Sequence, residues 1–192
     1  MASNVSIVNA ALIKVGEDVI TSLSDDSKPA RVANAIFEDT RDALLAAHPW
    51  NFALAEAALA AHATSPTWTH TYRFPLPESP SKCLRVLRIE DDDADAVSWK
   101  VVGRFIYTDE GAPLNILYIA QITDPGQFPP LFAELLSAKL AAELAESLKA
   151  SGTMTQTMQE LYHIKLAEAR MADAQEGTPD VITANEWIDA RN

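Results

Sequence analysis

Residues 130–150 read PLFAELLSAKLAAELAESLKA, and the fold turns on how this stretch is understood. It is apolar nearly all round, with Lys139, Glu143 and Glu146 forming only a narrow polar stripe. A helix apolar on every side has to be covered on every side, so the pattern predicts a deeply buried helix. Downstream, SGT breaks the chain and a second helix is expected over about 153–175. Met154, Met158, Leu161, Ile164 and Met171 mark its expected buried edge, and Gly177 and Pro179 end it.

The N-terminal third has the same character. Ser3 is placed to cap a helix over 3–15, with Val5, Val8, Leu12 and Val15 at helical spacing and Gly16 as its stop. After the loop TSLSDDSKP, Ser27 caps a second helix that runs from about Lys28 to His48, with Pro29 in its first turn. Its expected inner stripe is Ala33, Phe37, Thr40, Leu44 and Ala47, with Glu38 and Arg41 outward, and Pro49 ends it. Residues 51–62, rich in Ala and Leu, read as helical again.

Between these halves the text changes. From Thr64 to Pro80 it is Ser, Thr, Pro and aromatic, which favours extended segments and turns. Four strand-like runs follow: CLRVLRIE, SWKVV, RFIYT and LNILYIA. The sequence therefore predicts a mainly α fold, a helical bundle with a small antiparallel β insertion and an extended C-terminal arm. Residues 1–192 read as one domain, with helical core 3–62 and 130–176, β-module about 64–122 and arm 178–192. No repeat of solenoid period is present.

Composition narrows the function. With 192 residues, 48% hydrophobic, the chain is long enough to bury a real core. A single cysteine, Cys83, excludes a disulfide framework and multi-cysteine metal sites. No apolar run approaches the roughly 20 residues of a membrane span, and without a basic n-region no signal peptide is expected. The net charge of −12 is the wrong sign for gripping nucleic-acid phosphates.

Motifs for catalysis are missing from the text: no P-loop, no paired-glycine dinucleotide turn, no G-x-S-x-G, no H-E-x-x-H. His48, His62, His70 and His163 are scattered without ligand spacing. Asp91, Asp93 and Asp95 match the first ligands of a calcium loop, but Ala96 stands where Gly is needed and Val102 where Glu belongs, so a solvated turn is the better reading. Cys83 reads as a buried structural thiol. No catalytic residue, metal or cofactor is expected. Trp50, between Pro49 and Asn51-Phe52, suggests an aromatic plug between helices. Trp187 stands in a polar tail beside Val181, Ile182 and Ile188, too short to make its own core. Trp187 and Ile188 are the expected anchors of this arm and Arg191 its polar partner, docking on another chain; the alternative is a fold-back onto its own bundle.

Several segments, in this order, carry a resemblance. They are SKPARVANAIFEDTRDALLAAHPWNF, LPESPSKCLRVLRI, GRFIYTDEGAPLNILYI, DPGQFPPLFAELLSAKLAAELA and the closing EWIDAR. The most specific parts are Trp50-Asn51-Phe52, Cys83-Leu84-Arg85-Val86, Thr108-Asp109, Asp124-Pro125 with Phe128, Leu131-Phe132, and Trp187 with Ala190-Arg191. From about Asn4 to Arg191 the chain resembles the head-to-tail adaptor (connector or gatekeeper) proteins of short-tailed bacteriophages, the tail tubular protein A group. Lys82 departs from the acid that the family often places before its CLRV segment.

The resemblance implies a helical bundle with a β-rich insertion and no catalytic role. It implies a ring of identical subunits, typically twelvefold, docked under the portal protein and receiving a tail nozzle of the tubular protein B type. DNA would only pass through the lumen, and no membrane is involved. The location would be the virion neck, after assembly in the host cytoplasm, with the arm docking on the portal or an adjacent subunit. Two other readings compete: a head-completion protein of a longer-tailed phage or prophage, and an unrelated acidic helical enzyme or regulatory domain.

Overall fold

The computed structural model describes residues 2–68, 70–89, 97–149 and 151–176. Ser3 opens the first helix, α1 (Asn4–Lys14), with a reciprocal cap. Its Oγ accepts the Ser6 N–H at 3.0 Å while the Ser6 Oγ accepts the Ser3 N–H at 2.8 Å, which satisfies two donors that the helix itself cannot. Gly16, at φ 70°, turns the chain out of the helix. Asn9 then pins the returning loop, donating to the Ile20 carbonyl and accepting the Ile20 N–H. Ser27 caps α2 (Lys28–Ala47) through the Ala30 N–H. The C-terminal pair is α3 (Pro130–Leu144), continued by a π-helical turn over Ala145–Lys149, and α4 (Gly152–Ala174).

As the sequence requires, α3 lies at the centre. Leu135, Leu136, Leu140 and Leu144 are fully buried, each worth about 1.5–3 kcal/mol of burial. Helices α1, α2 and α4 all pack on it. Even its serine is used, as Ser137 accepts the Lys14 ammonium at 2.9 Å.

Among the described residues, six strands lie between the helices. These are β1 (Leu54–Leu59), β2 (Tyr72–Pro75), β3 (Cys83–Ile89), β4 (Trp99–Val102), β5 (Phe105–Thr108) and β6 (Leu114–Ala120). They form two antiparallel sheets of three strands, ordered β1-β6-β3 and β2-β5-β4. Strand β6 joins the layers. Leu114, Ile116, Tyr118 and Ala120 point into a core shared with the second sheet, where they meet Phe74, Cys83 and Ile106. Ile119, one residue out of phase, points into the helical core. A period of two places alternate residues on opposite faces, so a strand apolar on both reads as one continuous run.

The fold is therefore mixed α/β and not a mainly helical bundle: of the described residues 48% are helical and 19% lie in strands, these in two three-stranded sheets. The first sheet lies between the helices and the second sheet. The main misreading is residues 51–62, expected as helix. They form a 3₁₀ turn over Asn51–Ala53 and then β1, paired along its whole length with β6 from Leu54↔Ile119 to Leu59↔Leu114. Ala, Glu and Leu favour helix locally, but β6 offers an open backbone edge and pairing prevails over propensity. The β portion thus begins at Leu54. In the Pro-rich stretch, Tyr72–Pro75 pairs with β5, with Pro75 at the strand's last position.

Four side-chain placements also differ, among them Ala47, expected on the inner stripe of α2 but exposed at its last turn. Arg41, expected outward, is only 3% exposed; its Nε donates to Asp42 at 2.8 Å, and Asp42 also accepts the Gln121 amide after β6. Helix α2 faces both α3 and the first sheet, so its buried arc is wider than one stripe. Ile164 and Met171, expected on the buried edge of α4, are 56% and 66% exposed.

Candidate functional site

Pro49 stops α2, and the chain turns at His48 into extended backbone. That turn aims Trp50 inward. Its indole N–H donates to the Leu44 carbonyl at 2.9 Å, satisfying one of the free carbonyls at the helix end. Its ring is 2% exposed and meets Phe132 of α3 edge-on, centroids 5.2 Å apart. Phe52 packs against Phe132 and Phe128 at 4.9 and 6.1 Å. Trp50 is thus the plug between helices that its sequence context suggested.

The last turn of α4 closes over this cluster. Asp173 accepts the Asn51 backbone N–H at 2.9 Å and lies 3.0 Å from His48 Nε2, while the Asn51 side-chain amide donates to the Asp173 carbonyl at 2.6 Å. Beside the clasp opens a groove of about 260 Å³, lined by Trp50, Phe52, Leu131, Phe132, Ala172 and Glu176 among others. Leu131 stands at its rim, 37% exposed. Three segments far apart in sequence, 50–52, 128–132 and 169–176, meet here.

Other singled-out residues lie elsewhere. Asp109, at the end of β5, accepts the Thr71 hydroxyl at 2.8 Å and the Thr71 N–H at 2.7 Å, with His70 3.4 Å away. These bonds, the hydroxyl's foremost, hold its carboxyl below the ordinary carboxylate value. Cys83 is fully buried, and burial pushes its thiol up, away from the reactive thiolate. Arg104 is spent within the fold, on Glu78 and on the carbonyls of Cys83 and Pro77. Arg85 and Arg88 lie on the first sheet and Lys100 on the second, so these cations build no common basic stripe.

The histidines are dispersed: His48 on Asp173, His70 beside Asp109, His62 beside Arg73, and His163 tilted against Tyr162. Among the described residues no group of three or more His, Cys, Asp or Glu is placed to hold a metal ion. No helix among them is long and apolar enough to cross a membrane. The acidic turn with Asp91, Asp93, Asp95 and Ala96 lies outside the described residues, as do Trp187, Ile188 and Arg191.

The larger message of the surface is apolar exposure. On α4, Ile164, Ala167, Met171 and Ala174 follow one another at spacings of three, four and three, all exposed. The opposite face of the same helix carries Met158 and Ala169, buried toward α3. Such spacing is that of a helix packing seam. On the second sheet, Val101 and Val102 of the edge strand β4 are 40% and 47% exposed, and Trp68 is 90% exposed. Sequence reasoning found the apolar spacing of α4 but assigned both faces to one core. It missed Asp173 altogether, since an acid near a helix end carries no mark of the loop it will hold.

No protein-family model matches the chain, and no curated protein matches it.

Proposed function

We propose that this chain is a structural subunit of a head-to-tail adaptor ring, set between a portal protein and a tail nozzle, through which DNA passes. The observation that carries the reading is the second apolar seam of α4. A helix that buries one face in its own core and keeps Ile164 and Met171 in water at a packing spacing is built for another chain. The exposed β4 edge offers a further surface of the same kind.

Charge agrees with a conduit. Each cation that neutralises a phosphate adds to binding and would brake a sliding duplex. Here the net charge is −12, Arg104 is tied up internally, and Arg85, Arg88 and Lys100 are divided between two sheets. A ring of identical subunits multiplies that negative field. Rings also need heterologous contacts, one face of a copy meeting a different face of the next. The order of sequence segments shared with tail tubular protein A adaptors supplies the identity of the neighbours, a portal above and a nozzle below.

The test is a charge placed on the seam. Ile164→Glu and Met171→Glu should leave the helical signal and melting temperature of the subunit near wild type, because neither side chain is buried in it. They should abolish ring formation, in isolation or on a portal. Rings that persist unchanged in both variants would refute the reading.

A further inference from the structure

The geometry points to the aromatic groove as a receptor for the C-terminal segment of an adjacent copy of this chain, with Trp187 as the inserted side chain. This rests on the ring reading and names a second contact between its subunits, beside the α4 seam.

The groove has the right chemistry. It is lined by the aromatic rings of Trp50, Phe52 and Phe132 together with the exposed Leu131 and Glu176. At about 260 Å³ it suits one or two large side chains rather than a helix. Trp187 and Ile188 are adjacent large apolar residues in a polar stretch, and Arg191, four positions after Trp187, is opposite in charge to Glu176. A rigid aromatic seated in an apolar pocket with a polar rim is the usual makeup of a binding hot spot.

Length and point of departure suit the neighbouring copy as occupant. Glu176 both ends the described chain and lines the groove, so the segment departs from the groove's own rim. From Glu176 to Trp187 are eleven steps, roughly 36–40 Å when extended. A folded chain of this size has a radius of gyration of about 16 Å and is about 40 Å across, which is also the spacing of equivalent grooves on touching copies. Pro179 biases the residue before it toward extended backbone, which suits a strap that spans outward. Arm into groove is a heterologous contact, the kind that repeats around a ring and closes.

The test is a disulfide between rim and arm. Leu131→Cys and Ile188→Cys are combined in the full chain; Cys83 stays, because it is fully buried. Oxidation of assembled protein should give a ladder of covalent multimers on a non-reducing gel, and neither single variant should. Trp187→Ala, which leaves the described core intact, should weaken ring assembly at least tenfold. A disulfide closed within single chains, or no disulfide in protein that does form rings, would overturn this inference and leave the ring itself standing. Unchanged ring assembly in Trp187→Ala would do the same. A wild-type chain that forms no ring under any condition, portal included, would overturn both.

Discussion

Asp173, in the last turn of α4, holds the backbone of Asn51 across 122 residues of sequence, accepting its N–H at 2.9 Å while returning its own carbonyl to the Asn51 side chain. This clasp ties the end of the C-terminal helix to the turn that seats Trp50. Removing the carboxylate leaves a backbone donor and His48 without their partner, a cost of about 1–3 kcal/mol. Asp173→Ala should therefore lower the melting temperature by roughly 3–10 °C. It should also speed amide exchange at Asn51. An unchanged melting curve would show that the clasp contributes nothing.

The centre of the helical layer should be far less forgiving. Leu136 is fully buried in α3, against side chains from the surrounding helices. Leu136→Ala should cost about 2–5 kcal/mol by leaving a cavity. Leu136→Asp would bury an unpaired carboxylate, and the chain should not fold at all, since that cost rivals the stability of a whole domain. Circular dichroism and denaturant titration read both. A soluble Leu136→Asp protein with near-normal melting would remove α3 from the centre of the fold.

Acid should loosen the loop before β2 before it loosens the core. The carboxyl of Asp109 is held below its ordinary value of 3.8 by the bonds from Thr71. A depressed carboxylate contributes its stabilisation in full above the ordinary value and loses it as pH falls through the lower, folded value. The Thr71 amide should thus be protected relative to its intrinsic exchange rate at neutral pH and lose that protection below about pH 4. In Asp109→Asn the protection should be absent throughout. A wild-type protection factor that does not change with pH would contradict this assignment.

Duplex DNA should not bind at physiological salt. The chain carries −12 overall, and the exposed cations among its described residues are spread over α2, α4 and both sheets, as with Arg31, Arg170, Arg85 and Lys100. Non-specific binding needs several clustered phosphate contacts, which would show as a steep salt dependence. A mobility shift in the micromolar range that weakens with salt would contradict the picture of a passive wall.

Much of the helical layer could be read directly from sequence, because its signals are local. Ser3 and Ser27 cap where capping residues should, Gly16 takes the positive φ expected of a stop, and α3 is covered on all sides as its composition demands. The strand runs after Cys83 were equally plain. Residues 54–59 were not, because Ala and Leu favour helix and nothing local reveals that β6 needs a partner. The same limit hid Arg41, which the helical period places outward until the first sheet covers that side of α2. Ile164 and Met171 show a third limit: apolar spacing does not tell a face buried in the chain's own core from one left exposed. Of the groove, Trp50, Phe52 and Phe132 stood out in the text, but their meeting with the end of α4 rests on pairings more than a hundred residues apart.

The adaptor-ring proposal is tested most directly by native mass measurement of the purified chain, alone and mixed with a portal protein. One subunit is 20.9 kDa, so a twelvefold ring weighs about 250 kDa, twelve times that mass. The expected result is a portal complex heavier than the portal alone by a closed set of subunits near that value. A chain that stays at 20.9 kDa, and leaves the portal's mass unchanged at any ratio, would contradict the proposal.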